Sequence, residues 1–306
     1  MGGGIAQVLA LHGHQVQLAD IDAESTRRAR ERLLAEGENH AAAGLFPAEA
    51  PELLAANLHA ASSYEAALDG AAYVAEAVPE RVEIKQAALE SISTFAPRDA
   101  VVGSNTSSMP IRQLSEFVSN PERFLGVHWM NPAPFVPGVE MIPGPATKDA
   151  VLESATRLIA SLGKVATRVV DSAGFVANRL QFALYAEAAR IVDEGLATPA
   201  EVDAVVSSSF GFRLAFFGPF AIGDMAGLDV YASSYETLQD RFGDRFAMPK
   251  PVAEAMDSGN LGVKTSEGLL PIRQDEVPAL LKYRETAYAR LSQLRAELGE
   301  PPAFGE

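Results

Sequence analysis

The chain reads as an α/β domain over residues 1–170 followed by an all-helical domain over residues 171–306. Three observations predict this. Short strand-like runs at 15–20, 57–61, 72–78, 100–104 and 124–129 alternate with stretches of helical periodicity, as in a mostly parallel sheet covered on both faces. After about residue 171 the strand-like runs stop and long helical patterns take over. With 306 residues, 48% of them apolar and 21% charged, the chain can build two packed cores.

The elements follow in order. The opening "MGGGIAQVLALHGHQVQLADID" sets three glycines ahead of a helix in which Ile5, Val8 and Leu9 share one face, with Gly13 a natural C-cap. "QVQLAD" then alternates as a strand ending at Asp20. Residues 23–37 form a charged helix with Leu33 and Leu34 turned inward. The turn-rich "EGENHAAAGLFPAEAPEL" at 36–53 is expected to be an insertion rather than a core element. Residues 82–95 form a helix with Ala88, Leu89, Ile92 and Phe95 facing the core, stopped by Pro97. In the second domain residues 175–194 give one long helix. "TPAE" opens another, with Thr198 as N-cap, Pro199 at the first helical position and Glu201 closing a capping box.

Composition excludes several classes. A formal charge of -15 argues against a nucleic-acid binder, which needs concentrated lysine and arginine. No apolar run approaches the ~20 residues that cross a bilayer, so no membrane partner is expected. There is no cysteine, and His12, His14, His40, His59 and His128 are scattered, so no metal site is expected. The first residues lack a basic, cleavable signal, and a cytoplasmic location is expected.

A strand ending in an acid about 20 positions after a glycine-rich turn has a mechanical meaning. The Asp20 carboxylate would accept hydrogen bonds from both hydroxyls of an adenosine ribose and repel a 2′-phosphate, which favours NAD over NADP. On these residues alone, a solvated carboxylate at a strand end is an equal alternative.

Six further stretches are more specific as a series. They are "EAVPERVEIK" at 76–85, "SNTSS" at 104–108, "HWMNPAP" at 128–134 with Glu140 beyond it, "GFVANR" at 174–179, "GPFAIGDMAGLD" at 218–229 and "GVKT" at 262–265. In order and spacing the series resembles the NAD-dependent L-3-hydroxyacyl-CoA dehydrogenase family, over essentially the whole chain to about residue 268. The resemblance implies a Rossmann-like NAD-binding domain followed by a helical domain for substrate binding and dimerisation. It also implies oxidation of the 3-hydroxyl of an L-3-hydroxyacyl-CoA to the 3-ketoacyl-CoA.

The same resemblance assigns roles. His128 would be the base, since an imidazole titrates near operating pH. Two strands joined by "NPAPFVPG" would return Glu140 alongside it, and Val139, Met141 and Ile142 suggest a buried setting where that charge needs a partner. Ser107 and Asn178 match positions that hold the substrate oxygen. Gly2, Glu80, Lys85, Asn105 and Asn131 match positions around the cofactor, with Asp20 at the ribose. Lys85 could equally be an ordinary helix-surface lysine.

Three departures follow. The family fingerprint begins with a strand and two glycines that have no counterpart before Met1, which falls on the motif methionine. The first strand of the sheet is therefore expected to be missing, two neighbouring strands unpaired, and the true start upstream, with a shortened cofactor binder as the alternative. CoA-type members carry basic residues in the insertion after the second strand, whereas "LLAEGENHAAAGLF" at 33–46 has Glu36 and Glu38 and no lysine. Arg27, Arg28, Arg30 and Arg32 lie earlier, as substitutes or as a solvated face. "KTSEGLLPI" at 264–272 and the charged helix after it resemble relatives acting on free hydroxy acids, such as L-gulonate dehydrogenase and lambda-crystallin. An acyl-CoA substrate is the first expectation, a free 3-hydroxy acid the second, and a non-catalytic remnant of the fold the third. A homodimer is implied, with Phe210, Phe212, Phe216 and Phe217 as interface or core.

Overall fold

A computed structural model describes residues 1–302. It divides into two compact units, Met1–Tyr185 and Ala186 onward.

The first unit begins with helix α1 (Gly2–Leu11), strand β1 (Val16–Leu18), helices α2 (Ala23–Ala42) and α3 (Ala50–Asn57), and strand β2 (Leu58–Ala60), which pairs in parallel with β1. Helix α4 (Tyr64–Leu68), strand β3 (Tyr73–Glu76), helix α5 (Val82–Phe95), strand β4 (Val101–Ser104) and helix α6 (Ile111–Leu114) follow. Strands β5 (Phe124–Trp129) and β6 (Gly138–Pro143), helix α7 (Asp149–Ser161) and strand β7 (Val165–Arg168) complete the alternation. The larger sheet has the order β3-β4-β5-β6-β7. Its first three strands are parallel, and β6 and β7 run the other way.

The strands form two sheets rather than one. Among the described residues β1 pairs with β2 alone and β3 with β4 alone. Ala61 donates to Leu18 O, while Val101 and Asn105 donate to Ala72 O and Glu76 O. By strand alternation the amides and carbonyls of Gln17, Tyr73 and Ala75 then point away from their partners. Side-chain packing bridges the break. Ile5, Val8 and Leu9 of α1 share one core with Val16 of β1 and with Leu125, Val127, Trp129, Val139 and Met141 of the larger sheet.

Two sequence expectations fail locally. The stretch 36–53 is not a loose insertion: α2 runs on to Ala42, and Ala50 and Leu54 of α3 are fully buried. Gly37, which reads as a turn signal, is a mid-helix contact instead, since a Cβ there would lie 2.2 Å from Leu54 Cδ1. Phe95 ends α5 with 42% of its surface exposed, and Ala96 takes the buried place.

The second unit is helical. Helix α8 (Ala177–Asp193) leads into it, followed by α9 (Pro199–Ser208), α10 (Phe210–Leu214), α11 (Pro219–Ala226), α12 (Leu228–Phe242), α13 (Lys250–Ser258) and α14 (Val277–Leu298). The capping box at Thr198 and Glu201 is present as the sequence predicts. Phe212, Phe216 and Phe217 pack against Tyr288 of α14, so these rings serve the unit's own core. No helix of the described residues is long and apolar enough to cross a membrane.

Candidate active site

Antiparallel pairing of β5 with β6 sets His128 directly opposite Glu140 on one face of the sheet. Both are nearly buried, and His128 Nδ1 lies 2.8 Å from Glu140 Oε2. A carboxylate only accepts, so Nδ1 carries the proton and Nε2 keeps a lone pair in the neutral ring. Nε2 has no protein partner among the described residues. The other carboxylate oxygen accepts the amides of Val176 and Ala177, at 2.9 and 3.0 Å, where α8 begins. Burial pushes the Glu140 carboxyl up, but the His128 hydrogen bond and these two amides outweigh it and hold the group below its ordinary range.

A second carboxylate builds the loop after β4. Glu80 Oε1 accepts from the Thr106 hydroxyl and from the amides of Ser107 and Ser108, at 3.0 and 2.9 Å for the amides. Burial raises its pKa, and the Thr106, Ser108, Lys85 and Ser107 interactions reverse this, bringing it down to about 2. Ser107 is half-buried, and its carbonyl accepts from Asn178 Nδ2 at 2.8 Å. Asn105 is buried and its Oδ1 accepts the Trp129 amide at 2.8 Å, joining the ends of β4 and β5. The structure thus brings His128, Glu140, Ser107 and Asn178 into one linked set. Asn131 is exposed on the loop beyond β5.

Lys85 is neither a surface lysine nor presented to a ligand. It is fully buried, with Nζ 2.8 and 3.1 Å from the two Glu76 carboxylate oxygens and 3.5 Å from Glu80 Oε2. Glu76 also accepts from Ser104 Oγ and from the Val78 amide. Glu76 therefore ties the carboxyl ends of β3 and β4 together through Ser104, and Lys85 anchors it to α5, behind the loop that Glu80 organises.

The remaining cofactor positions lie at the same edge of the strands. The first turn of α1 has no side-chain cap, which leaves the amides of its three glycines for an anion. Gly2, Gly3 and Gly4 also permit close packing: added Cβ atoms would meet Ala77, Leu33 and the Ala133–Pro134 loop at 3.3, 2.8 and 3.1 Å at the nearest. Asp20 follows β1 and is exposed, with Oδ1 accepting the Ile21 amide at 2.7 Å. These groups fit the phosphates and adenosine ribose of a dinucleotide.

Sequence reasoning missed Asp171, Lys164 and Phe175. Asp171 accepts the amides of Ile111 and Arg112, each at 2.9 Å. Lys164 Nζ gathers the carbonyls of Ala133, Pro134 and Val136, at 2.6, 3.2 and 3.0 Å, and so holds the loop between His128 and Glu140. Phe175 packs on His128 from a left-handed backbone, φ 48°. Only the Gly174 before it hinted at an unusual turn.

In open parallel sheets ligands bind outside the carboxyl ends of the strands, and a carboxylate-braced imidazole there is equipment for moving a proton. The class these features define is a dinucleotide-dependent oxidoreductase. The family pattern "3-hydroxyacyl-CoA dehydrogenase, NAD binding domain" matches residues 1–172, and "3-hydroxyacyl-CoA dehydrogenase, C-terminal domain" matches 174–271. The chain belongs to the 3-hydroxyacyl-CoA dehydrogenase family and is an NAD-dependent oxidoreductase. It is 34% identical to the 5-formyl-3-hydroxy-2-methylpyridine 4-carboxylate 5-dehydrogenase of Mesorhizobium japonicum, over 92% of this chain and 90% of that one. It is 35% identical to the 3-hydroxyadipyl-CoA dehydrogenase of Escherichia coli, over 90% of this chain and 58% of that one. The solved 3-hydroxyacyl-CoA dehydrogenase of Archaeoglobus fulgidus superposes with a TM-score of 0.78 at 28% identity, covering 98% of this chain and 95% of that one.

Proposed function

We propose that the chain oxidises the 3-hydroxyl of an L-3-hydroxyacyl-CoA to the 3-ketone, with His128 as the base. The observation that carries this reading is the His128–Glu140 pair, which leaves Nε2 without a protein partner among the described residues. Nε2 takes the hydroxyl proton, and Glu140 stabilises the imidazolium that forms. Ser107 and Asn178 orient the substrate oxygen. NAD, when bound, supplies the hydride acceptor. Asp20 holds its ribose and the first turn of α1 its phosphates, while Asn105 and Asn131 flank the reactive end. The chain works as a homodimer joined through its helical unit, which leaves Val205 and Phe220 more than half exposed.

A second reading, a carboxylate substrate without CoA, has specific support. The arginines of α2 closest in sequence to the CoA-contacting insertion are engaged elsewhere. Arg27 pairs with Glu24 and Glu31, Arg32 pairs with Glu36, and Arg30 donates to the carbonyls of Leu58 and Ala55. The Mesorhizobium relative is also named for a pyridine carboxylate.

NADH formation from 3-hydroxybutyryl-CoA, compared with free 3-hydroxybutyrate and with aromatic hydroxy carboxylates, tests both readings. Turnover of the thioester that falls about 10²–10⁴-fold in His128→Gln supports the first. Turnover of free acids alone supports the second, and NADH from none of them overturns both.

A further inference from the structure

The segment Asp171–Asn178 is tied to the site at several points. Asp171 takes the amides that begin α6, Val176 and Ala177 donate to Glu140, and Asn178 donates to Ser107 O. At its centre Phe175 is 1% exposed, and its ring centre lies 5.5 Å from that of His128 at an inclination of 55°. Gly174 and Phe175 are both left-handed, with φ of 71° and 48°, and the Phe175 amide closes the turn onto Ser172 O at 3.1 Å. A bulky side chain rarely adopts this backbone. The neighbouring contacts hold it there, and the ring joins the core of Ile111, Leu114, Phe124 and Ile142.

We propose that Phe175 is a positioning residue for His128. One hydrogen bond to Glu140 is a pivot about which an imidazole can still rock. A ring fixed against its side removes that freedom and holds Nε2 in one direction. Phe175 is suited to this because its own ring is braced by the core on one side, and its backbone is fixed by Glu140 through the very next amide. The inference rests on the reading of His128 as the base.

The test compares Phe175→Leu and Phe175→Tyr in the full chain, with Phe175→Met in place of the leucine variant should that fail to fold. Three quantities are read: steady-state kinetics, the isotope effect with substrate deuterated at the oxidised carbon, and exchange of the His128 Nδ1 proton by NMR. Loss of the ring lowers kcat about 10- to 100-fold with KM for NAD within about twofold. It also raises the isotope effect and speeds Nδ1 exchange, and tyrosine restores all of these. A purely structural role would shift the melting temperature and leave the isotope effect and the exchange rate alone, and that result overturns the inference. Faster exchange in a variant of a wild type that oxidises nothing would retire the dehydrogenase reading and leave the positioning role standing.

Discussion

Glu140 braces His128 from directly across the β5–β6 ladder, and the oxygen not used on the imidazole anchors the first amides of α8. One carboxylate thus fixes both the tautomer of the ring and the place where the long helix starts. Glu140→Gln keeps the size of the side chain but brings a donor that can turn toward Nδ1. The expected result is a kcat about 10³–10⁴-fold lower, with KM for NAD little changed, measured as NADH formation. A loss under about tenfold would mean that the imidazole does not depend on this partner.

Asp20 offers its carboxylate at the end of β1, and one of its oxygens is already engaged by the Ile21 amide. Asp20→Ala should raise KM for NAD on the order of tenfold, the size of a lost charge-assisted hydrogen bond, and narrow the preference over NADP. Initial rates with the two dinucleotides measure it. An unchanged ratio would remove Asp20 from the ribose.

Lys85 and Glu76 form a buried ion pair. Removing one partner leaves the other charge uncompensated, so Lys85→Met should cost about 3–5 kcal/mol in urea unfolding. Adding Glu76→Gln should recover part of this, since glutamine can still accept the Val78 amide. Activity per folded molecule should change less than stability in both variants.

Glu80 and Glu140 both have depressed pKa values in the fold. Their stabilisation is fully present above the ordinary glutamate value of 4.5 and is lost as pH falls through the folded values, about 2 for Glu80. Melting temperature should therefore decline between about pH 4.5 and pH 2, and Glu80→Gln should flatten part of that decline. The effect is modest because the Glu80 side chain is 34% exposed.

Gly37 in the middle of α2 has no room for a methyl group beside Leu54. Gly37→Ala should destabilise the chain by about 1–3 kcal/mol through overpacking, despite the better helix propensity of alanine. A higher melting temperature would show that α2 and α3 can separate there without loss.

The pairing of His128 with Glu140 was legible because strand pairing converts sequence spacing into contact: twelve residues with a turn between them return Glu140 to His128. The alternation of strands and helices was equally plain. The stretch 36–53 was not, because Gly37 and Gly44 mark turns locally and only the tertiary contact with Leu54 shows that one of them is a packing glycine. Lys85 was misplaced for a related reason. Nothing in its helix says that the neighbouring strand ends in a carboxylate aimed at it. Phe175 escaped because a left-handed phenylalanine is produced by its surroundings rather than by its own preference.

The break between β1 and β3 has a mechanical consequence. Asp20 follows the smaller sheet and His128 belongs to the larger one, so among the described residues no continuous ladder of backbone bonds spaces the acid proposed for the ribose from the imidazole. Their separation is gauged instead by the methyl and methylene groups of Ile5, Val8 and Leu9 wedged against both sheets. Shaving Val8 to alanine would therefore act as a slack bearing, felt first as imprecision in how far apart the two ends of a bound dinucleotide are held.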